Sequence, residues 1–391
     1  METKLLITKL IRNHTTYIAT ALYSGKKLLE LYLEPTEQES ILNNIYVGRV
    51  KDIVKNLNAA FIEIAPGKPC YYSLEDCHNP LYVKKINSPR MVQGDEVVVQ
   101  VVKENIKTKP PKVSTNLTFT GTYLVLTTEN TSLGISRKLP DEERERLKQL
   151  LEPYRNDKFG IVVRTNAAQV EDTKIFQEYE TLKQEYEQLM QNAVHRTCFS
   201  CLKKSPPEFL SLLKDVHQAE LNEIITDDPE LFDQINAAGF HATFYEDKLL
   251  SLHNLYSLET RLQEALNERV WLKSGGYLVI QPTEALTVID VNSGKSIAKK
   301  KVQEHYLKIN LEAAEEIAHQ LRLRNISGII IVDFIDMKEQ SAKDELMLHL
   351  KQLVKKDSVP VQVVDMTRLN LVELTRKKVR KSLAEQIEGE N

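Results

Sequence analysis

The chain has 391 residues, of which 42% are hydrophobic, and its 52 basic and 55 acidic side chains give a formal net charge of −3. This length predicts two to four domains, and the apolar content supports packed cores and excludes a disordered protein. A nearly neutral chain neither requires nor excludes a nucleic-acid partner, so the local distribution of charge carries more information.

The first third of the chain is rich in predicted strands. Alternating residues on both sides of Ser24 and Gly25 predict a β-hairpin within residues 1–35. Short strands are then predicted at 45–50, 59–64, 70–72 and 96–102. Their close spacing, with Gly and Pro between them, is typical of a small barrel of five strands.

Helices and strands mix in the remainder of the chain. Between 119 and 270, strands are predicted at 123–127 and 160–164, and helices at 141–151, 172–190, 207–225 and 255–270. From about residue 271, the predicted strands are 278–280, 285–291, 329–334 and 361–364, and the predicted helices are 302–323, 343–354 and 371–388. This alternation of strand and helix indicates an α/β unit.

Two of these predicted strands end on carboxylates. Asp290 is followed closely by Asn292, and Asp333 by Asp336. Two neighbouring strand ends could hold Asp290 and Asp333 around one Mg²⁺, with Asn292 bonded to a phosphate oxygen and Lys295 adding positive charge. The alternative is that each aspartate only caps the turn after its strand. Two such ends in one domain favour the metal site.

Aromatic and basic residues of the predicted barrel are candidates for nucleic-acid contacts. Phe61 and Tyr71 could stack on bases, although the core is the commoner place for Phe. Lys109 and Lys112 lie in a Pro-rich segment and could contact phosphates or simply face solvent.

Other basic residues also suggest a polyanion partner. Arg164 and Thr165 follow a predicted strand, where a guanidinium and a hydroxyl could bind a phosphate. Clusters at 107–112, 299–301 and 376–381 raise the odds of such a partner only modestly, because charge runs are usually solvated faces.

Four cysteines are few for a disulfide scaffold. Cys198 and Cys201 have zinc-knuckle spacing, but no second close Cys or His pair is evident, so we expect no zinc. No run of about 18 apolar residues occurs, so we expect no membrane-spanning helix. The N-terminal residues lack the apolar centre of a signal peptide, and we expect a cytoplasmic protein.

Three long segments, residues 283–295, 310–324 and 328–337, resemble the catalytic core of the ribonuclease E/G family, and weaker similarity covers nearly the whole chain. The resemblance implies an α/β fold of several subdomains. An RNase H-like subdomain would be split between 1–35 and 216–278, and an S1 domain, which is an OB-fold barrel, would occupy 36–118. A 5′-sensor region would follow at 119–215, and a DNase I-like catalytic subdomain at 279–391.

The resemblance also implies roles for individual residues. Asp290 and Asp333 would bind Mg²⁺, with Mn²⁺ as an alternative, and Asn292 would orient the scissile phosphate. A 5′-monophosphate on the RNA would be contacted by Arg164 and Thr165, with help from the backbone near Gly121 and Val125. Single-stranded RNA would be held in the S1 domain by Phe61, Tyr71 and Lys109.

These features predict a Mg²⁺-dependent endoribonuclease that cleaves single-stranded RNA to leave 5′-phosphate and 3′-hydroxyl ends, in rRNA processing or mRNA decay. The alternative is a non-catalytic RNA-binding protein of the same fold, for example one attached to ribosomes. Family members usually carry a Cys-Pro-x-Cys zinc link after the catalytic subdomain, and this sequence reaches Asn391 without one. We therefore expect no zinc-linked dimer, and other oligomers stay open.

Overall fold

The structure is a computed structural model that describes residues 2–37, 40–76, 80–105, 109–216, 221–294 and 302–387. The chain forms two compact units, one of Met1–Gln38 with Glu220–Asn391 and the other of Glu39–Ala219. The finer division into five segments stays a prediction. Lys295, which the sequence suggested as a source of positive charge, lies outside the described residues, as does the basic cluster at 299–301.

The strands of the described residues, in chain order, are β1 (Thr3–Arg12), β2 (Thr15–Ser24), β3 (Lys27–Pro35), β4 (Ile45–Val54), β5 (Ala59–Ala65), β6 (Lys68–Ser73), β7 (Tyr82–Lys84), β8 (Glu96–Lys103), β9 (Lys112–Ser114), β10 (Thr118–Thr120), β11 (Leu124–Thr127), β12 (Leu133–Ile135), β13 (Gly160–Val163), β14 (Cys201–Lys203), β15 (Glu223–Thr226), β16 (Thr243–Phe244), β17 (Arg269–Trp271), β18 (Tyr277–Pro282), β19 (Leu286–Asn292), β20 (Gly328–Asp333), β21 (Val361–Met366) and β22 (Leu371–Arg376).

The helices of the same residues are α1 (Asp141–Leu151), α2 (Asp172–Ala193), α3 (Glu208–Asp215), α4 (Pro229–Ala237), α5 (Leu252–Leu255), α6 (Leu258–Leu266), α7 (Val302–Leu323), α8 (Gln340–Val354) and α9 (Leu383–Ile387). No helix among the described residues is both long and apolar enough to cross a membrane.

The unit that contains the chain's N-terminal strands has two sheets. The first has the order β16-β15-β1-β2-β3, and the predicted hairpin is its β2–β3 pair, closed by a turn in which Gly25 has a positive φ of 57°. The second has the order β17-β18-β19-β20-β22-β21, and only β19 and β20 within it are parallel. Helices α7 and α8 pack on one face of this second sheet. The opposite face carries Asp290 and Asp333, together with exposed apolar residues such as Ile329.

The other unit contains a closed barrel and a small mixed sheet. Strands β4, β5, β6, β9 and β8 pair in that order, and β8 pairs back with β4 to close the ring. Alternation explains the closure, because every second side chain, such as Ile62, Cys70 and Val99, is buried inside. The prediction of a five-stranded barrel is confirmed. Strands β10, β11, β13 and β12 form the small sheet, against which α1 and α2 pack.

Three predicted helices are wrong in part. Within the described part of 207–225, α3 ends at Asp215 and β15 begins at Glu223, and residues 255–270 contain α6 and the start of β17. The segment 371–388 begins with β22 instead of a helix. There Val372, Leu374 and Arg376 are buried in alternation, so the period is two, and pairing with β20 and β21 overrides the helical propensity of the charged residues.

Candidate active site and RNA-contacting surfaces

Two aspartates lie side by side on the open face of the second sheet. Strands β19 and β20 run parallel, and their register places Asp290 directly opposite Asp333. Neighbouring strands lie about 4.8 Å apart, and residues in register point to the same face. The preceding pair, Ile289 and Val332, is buried in the core with α7 and α8. The two carboxylates therefore point away from the helices.

Within the part of the chain that the structure describes, the surroundings of this pair are anionic. The amide Nδ2 of Asn292 donates a hydrogen bond of 2.7 Å to Oδ2 of Asp290. Desolvation, and then the negative charges of Asp290 and Asp336, raise the pKa of Asp333 above its ordinary value. Among the described residues no lysine or arginine forms an ion pair with Asp290 or Asp333. A cation bound between the two carboxylates would therefore reduce their mutual repulsion.

The donor set fits one hard cation. In the described part of the chain no group of three or more His, Cys, Asp or Glu side chains is arranged to hold a metal ion. Mg²⁺ does not need such a cage, because it commonly binds through one or two carboxylates and fills its octahedron with water and substrate phosphates. Asp290 and Asp333, on one open sheet face, match that mode.

A buried asparagine that the sequence reasoning missed positions the loop after β20. Asn310 in α7 is fully buried, donates to the carbonyl oxygen of Ile335 at 2.8 Å and accepts from the N–H of the same residue at 3.0 Å. These two hydrogen bonds tie the segment between Asp333 and Asp336 to the helix. A polar residue on the apolar face of a predicted helix was the signal that could have revealed it.

The predicted aromatic contacts lie on the outside of the barrel. Phe61 and Tyr71 are partners on β5 and β6, with ring centroids 6.4 Å apart, and Tyr71 pairs in turn with Lys112 on β9. Both rings are half-buried, whereas Lys109 is exposed. The neighbouring Tyr72 points inward and is fully buried. Three of the four predicted RNA contacts therefore form one row across the barrel surface.

The predicted phosphate contacts also come together in the same unit. Arg164 donates to the carbonyl oxygen of Gly121 at 2.6 Å and to Oδ1 of Asp215 at 2.5 Å. The hydroxyl of Thr165 lies 2.9 Å from that of Ser136. Val125 lies within β11, opposite Thr120 of β10 and Val162 of β13. These residues line one end of the small sheet.

A carboxylate missed by the sequence reasoning occupies the adjacent loop. Glu178 in α2 accepts hydrogen bonds from the N–H groups of Thr122, Tyr123 and Leu124 at 2.8, 2.7 and 2.7 Å. A Cβ at Gly121 would lie 2.4 Å from this carboxyl group, so the close approach requires glycine. The N–H groups of the loop next to Arg164 therefore form a binding site for a carboxylate, and Glu178 occupies it.

Two other sequence expectations concern the basic cluster at 376–381 and the cysteines. Within the basic cluster at 376–381, Arg376 is only 4% exposed and pairs through Nε with Asp357 at 2.8 Å, so it is a core residue and does not contact a polyanion. Of the cysteines that the structure describes, Cys70, Cys198 and Cys201, none is in a disulfide.

Comparison with known proteins agrees with these observations. The sequence model of the Ribonuclease E/G family matches residues 118–379. The chain is 33% identical over 384 residues to ribonuclease G of Haemophilus influenzae, covering 93% of this chain and 78% of that protein. It is 33% identical over 379 residues to ribonuclease E of Synechocystis, covering 93% of this chain and 56% of the relative. It is 30% identical to ribonuclease G of Escherichia coli K12, again over 93% of this chain.

The fold is mixed α/β, with a closed five-stranded barrel in one unit and, in the other, a sheet that carries the paired aspartates. The chain belongs to the ribonuclease E/G family.

Proposed function

We propose that this protein is a Mg²⁺-dependent endoribonuclease that cleaves single-stranded RNA during RNA processing or decay. The observation that carries the proposal is the pairing of Asp290 with Asp333 in register on an open sheet face, in a chain whose relatives are named ribonuclease G and ribonuclease E. The products would carry 5′-phosphate and 3′-hydroxyl ends. The five-part division into RNase H-like, S1, 5′-sensor and DNase I-like regions is part of this proposal.

The residues of the site divide the work. Asp290 and Asp333 would hold the cation, and Mg²⁺ or Mn²⁺ bound there would supply Lewis acidity for hydrolysis of a phosphodiester. Asn292, through its 2.7 Å bond, holds the carboxylate of Asp290 in a fixed orientation and presents an amide to the scissile phosphate. Asn310 keeps the loop that follows Asp333 in place.

The other unit would bind the RNA. Base stacking on Phe61 and Tyr71, worth roughly 1–3 kcal/mol per base, favours unpaired RNA because only unpaired bases can lie on the rings. Arg164 and Thr165 would contact a 5′-monophosphate beside the loop at Gly121. In the described structure the guanidinium of Arg164 donates to Asp215, and the loop N–H groups donate to Glu178. A phosphate bound there would therefore compete with two carboxylates.

The rival proposal is an RNA-binding protein without activity. The paired aspartates disfavour it, because two like charges in register on adjacent strands destabilise a sheet and give a pure binder nothing in return. The barrel row alone would be enough for binding.

A cleavage assay tests the proposal. The wild-type protein should cut a labelled single-stranded oligonucleotide with Mg²⁺ and not with a chelator, and mass spectrometry of the products should find 5′-phosphate and 3′-hydroxyl ends. Asp290→Asn and Asp333→Asn proteins should bind the oligonucleotide and leave it intact. Phe61→Ala should weaken binding about 5- to 150-fold. Equal cleavage by either aspartate variant would sink the proposed chemistry.

A further inference from the structure

An aromatic cluster lies beside the paired aspartates and has no part in the site described above. We name Arg269, Trp271 and Tyr277 the aromatic platform. The rings of Trp271 and Tyr277 have centroids 5.2 Å apart, and the Arg269 guanidinium lies 4.5 Å from the centroid of Tyr277. Trp271 is 64% exposed, which is unusual for the largest apolar side chain. Core packing therefore does not account for it.

Strand register places this platform next to the candidate active site. Tyr277 pairs with Trp271 on one side and with Asn292 on the other. Since partners in register share a face, these three side chains form one row on the open face, and Trp271 lies two strands, or about 10 Å, from Asn292. Val270 and Leu278, which alternate with them, face the core instead.

The turn that carries the platform packs closely against the active-site strand. A Cβ at Gly276 would lie 2.7 Å from the carbonyl oxygen of Asn292, and one at Gly294 would lie 2.4 Å from the carbonyl oxygen of Gly275. The carboxylate of Glu312 in α7 accepts from the N–H groups of the turn at 2.5 and 3.2 Å. The turn therefore packs directly on the backbone of Asn292, which keeps the platform next to the candidate active site.

We propose that the aromatic platform is a base-stacking subsite for the single-stranded RNA that flanks the cleaved phosphate. An exposed indole, a phenol and a guanidinium on one face offer stacking surfaces and a positive charge, which is the composition that binds unpaired nucleotides without reading sequence. The positive charge of Arg269 also offsets the repulsion between RNA phosphates and the aspartates two strands away. The inference rests on the proposed function only in taking single-stranded RNA as the substrate.

The sole tryptophan of the chain is Trp271, so intrinsic indole fluorescence reports on the platform alone. The assay uses full-length Asp290→Asn protein with a chelator, so that no cleavage occurs. A single-stranded oligonucleotide should change the emission saturably, and the same oligonucleotide with abasic positions should not. Binding seen by anisotropy of labelled RNA without a change in emission would overturn the inference, as would equal responses to both oligonucleotides.

Variants provide the second arm. Trp271→Ala should weaken RNA binding about 5- to 150-fold, whereas Trp271→Phe should retain most of it. Leu249→Ala is the matched control, because Leu249 is 97% exposed in the same unit and belongs to no part of the site. Unchanged affinity in Trp271→Ala, with thermal denaturation showing a folded protein, would refute the subsite.

Three further outcomes separate this inference from its alternatives. If Trp271→Ala lowers the mass of the protein in solution, the patch is an interface between protein chains, and the inference falls. If the wild-type protein does not cleave RNA with Mg²⁺ but its emission responds to bases, the proposed nuclease function fails and the subsite stands. If the wild-type protein cleaves RNA and its emission does not respond to bases, the nuclease function stands and the subsite falls.

Discussion

Replacement of one aspartate in the pair should make the metal-free protein more stable. Asp333→Asn keeps the size of the side chain and removes one of two like charges separated by about the strand spacing. At ~5 Å the repulsion is about 3 kcal/mol at an effective dielectric constant of 20 and about 0.8 kcal/mol in bulk water. Asp333 is exposed, so we take a value near the low end, about 1 kcal/mol.

Thermal denaturation at pH 7 with a chelator measures this gain. For a unit of this size, about 1 kcal/mol corresponds to a rise in Tm of roughly 2–4 °C. With Mg²⁺ in excess the wild type should have the higher Tm of the two proteins, because the bound ion stabilises the wild type and not the variant. Asp344→Asn is a matched control, since Asp344 is exposed on α8 and faces Gln340 instead of another carboxylate.

The pH dependence gives a second check on the same reasoning. The folded-state pKa of Asp333 is raised above its unfolded value by desolvation, Asp290 and Asp336. The wild type therefore loses stability as the pH rises from the unfolded value of about 3.9 through the folded value. The advantage of Asp333→Asn should be full above that interval and disappear below it. A Tm that is lowered at pH 7, or a gain that persists in acid, would refute the argument.

Three further predictions concern other residues. Asn310→Ala should leave the backbone groups of Ile335 unsatisfied, cost about 1–3 kcal/mol in urea denaturation and lower kcat more than RNA affinity; an unchanged kcat would show that the loop does not depend on this contact. Arg164→Ala should reduce the ratio of kcat/KM for 5′-monophosphorylated over 5′-hydroxyl RNA by roughly 10- to 100-fold, and an unchanged ratio would exclude the residue from sensing the 5′ end. Arg376→Met should destabilise the protein by about 3–5 kcal/mol because Asp357 is left charged and buried, whereas the double variant with Asp357→Leu should recover much of that loss; additive losses would contradict the pairing.

Local patterns were enough to predict many elements of the fold. The bounds predicted for α1 and α7 agree with the structure at both ends, and the barrel strands were found from alternation and turn residues. These features depend on neighbours within a few positions, so a single sequence contains them. The segment that forms β22 shows the limit of such local patterns. It is a strand because it pairs with β20 on one side and β21 on the other.

Residues whose roles depend on distant partners could not be predicted in the same way. Nothing near Glu178 in the sequence indicates the loop N–H groups that it binds, which lie more than fifty positions earlier. Arg376 looked like one of a run of solvated charges, and only the fold supplies the buried Asp357 opposite it. Nor did the sequence suggest that Trp271 and Tyr277 would share a face with Asn292.

The sequence by itself determined the kind of most elements, the small barrel and the family resemblance, because hydrophobic period, turn residues and long motifs are local properties of the chain. It also predicted that Asp290 and Asp333 end their strands, which holds for Asp333 in β20, whereas β19 continues two residues beyond Asp290. Only the tertiary structure decided that these strands are adjacent, parallel and in register, so that both carboxylates share one open face. The physical reason is that register between distant strands is set by packing of the whole sheet on α7 and α8, and a shift of one residue would turn either carboxylate into the core.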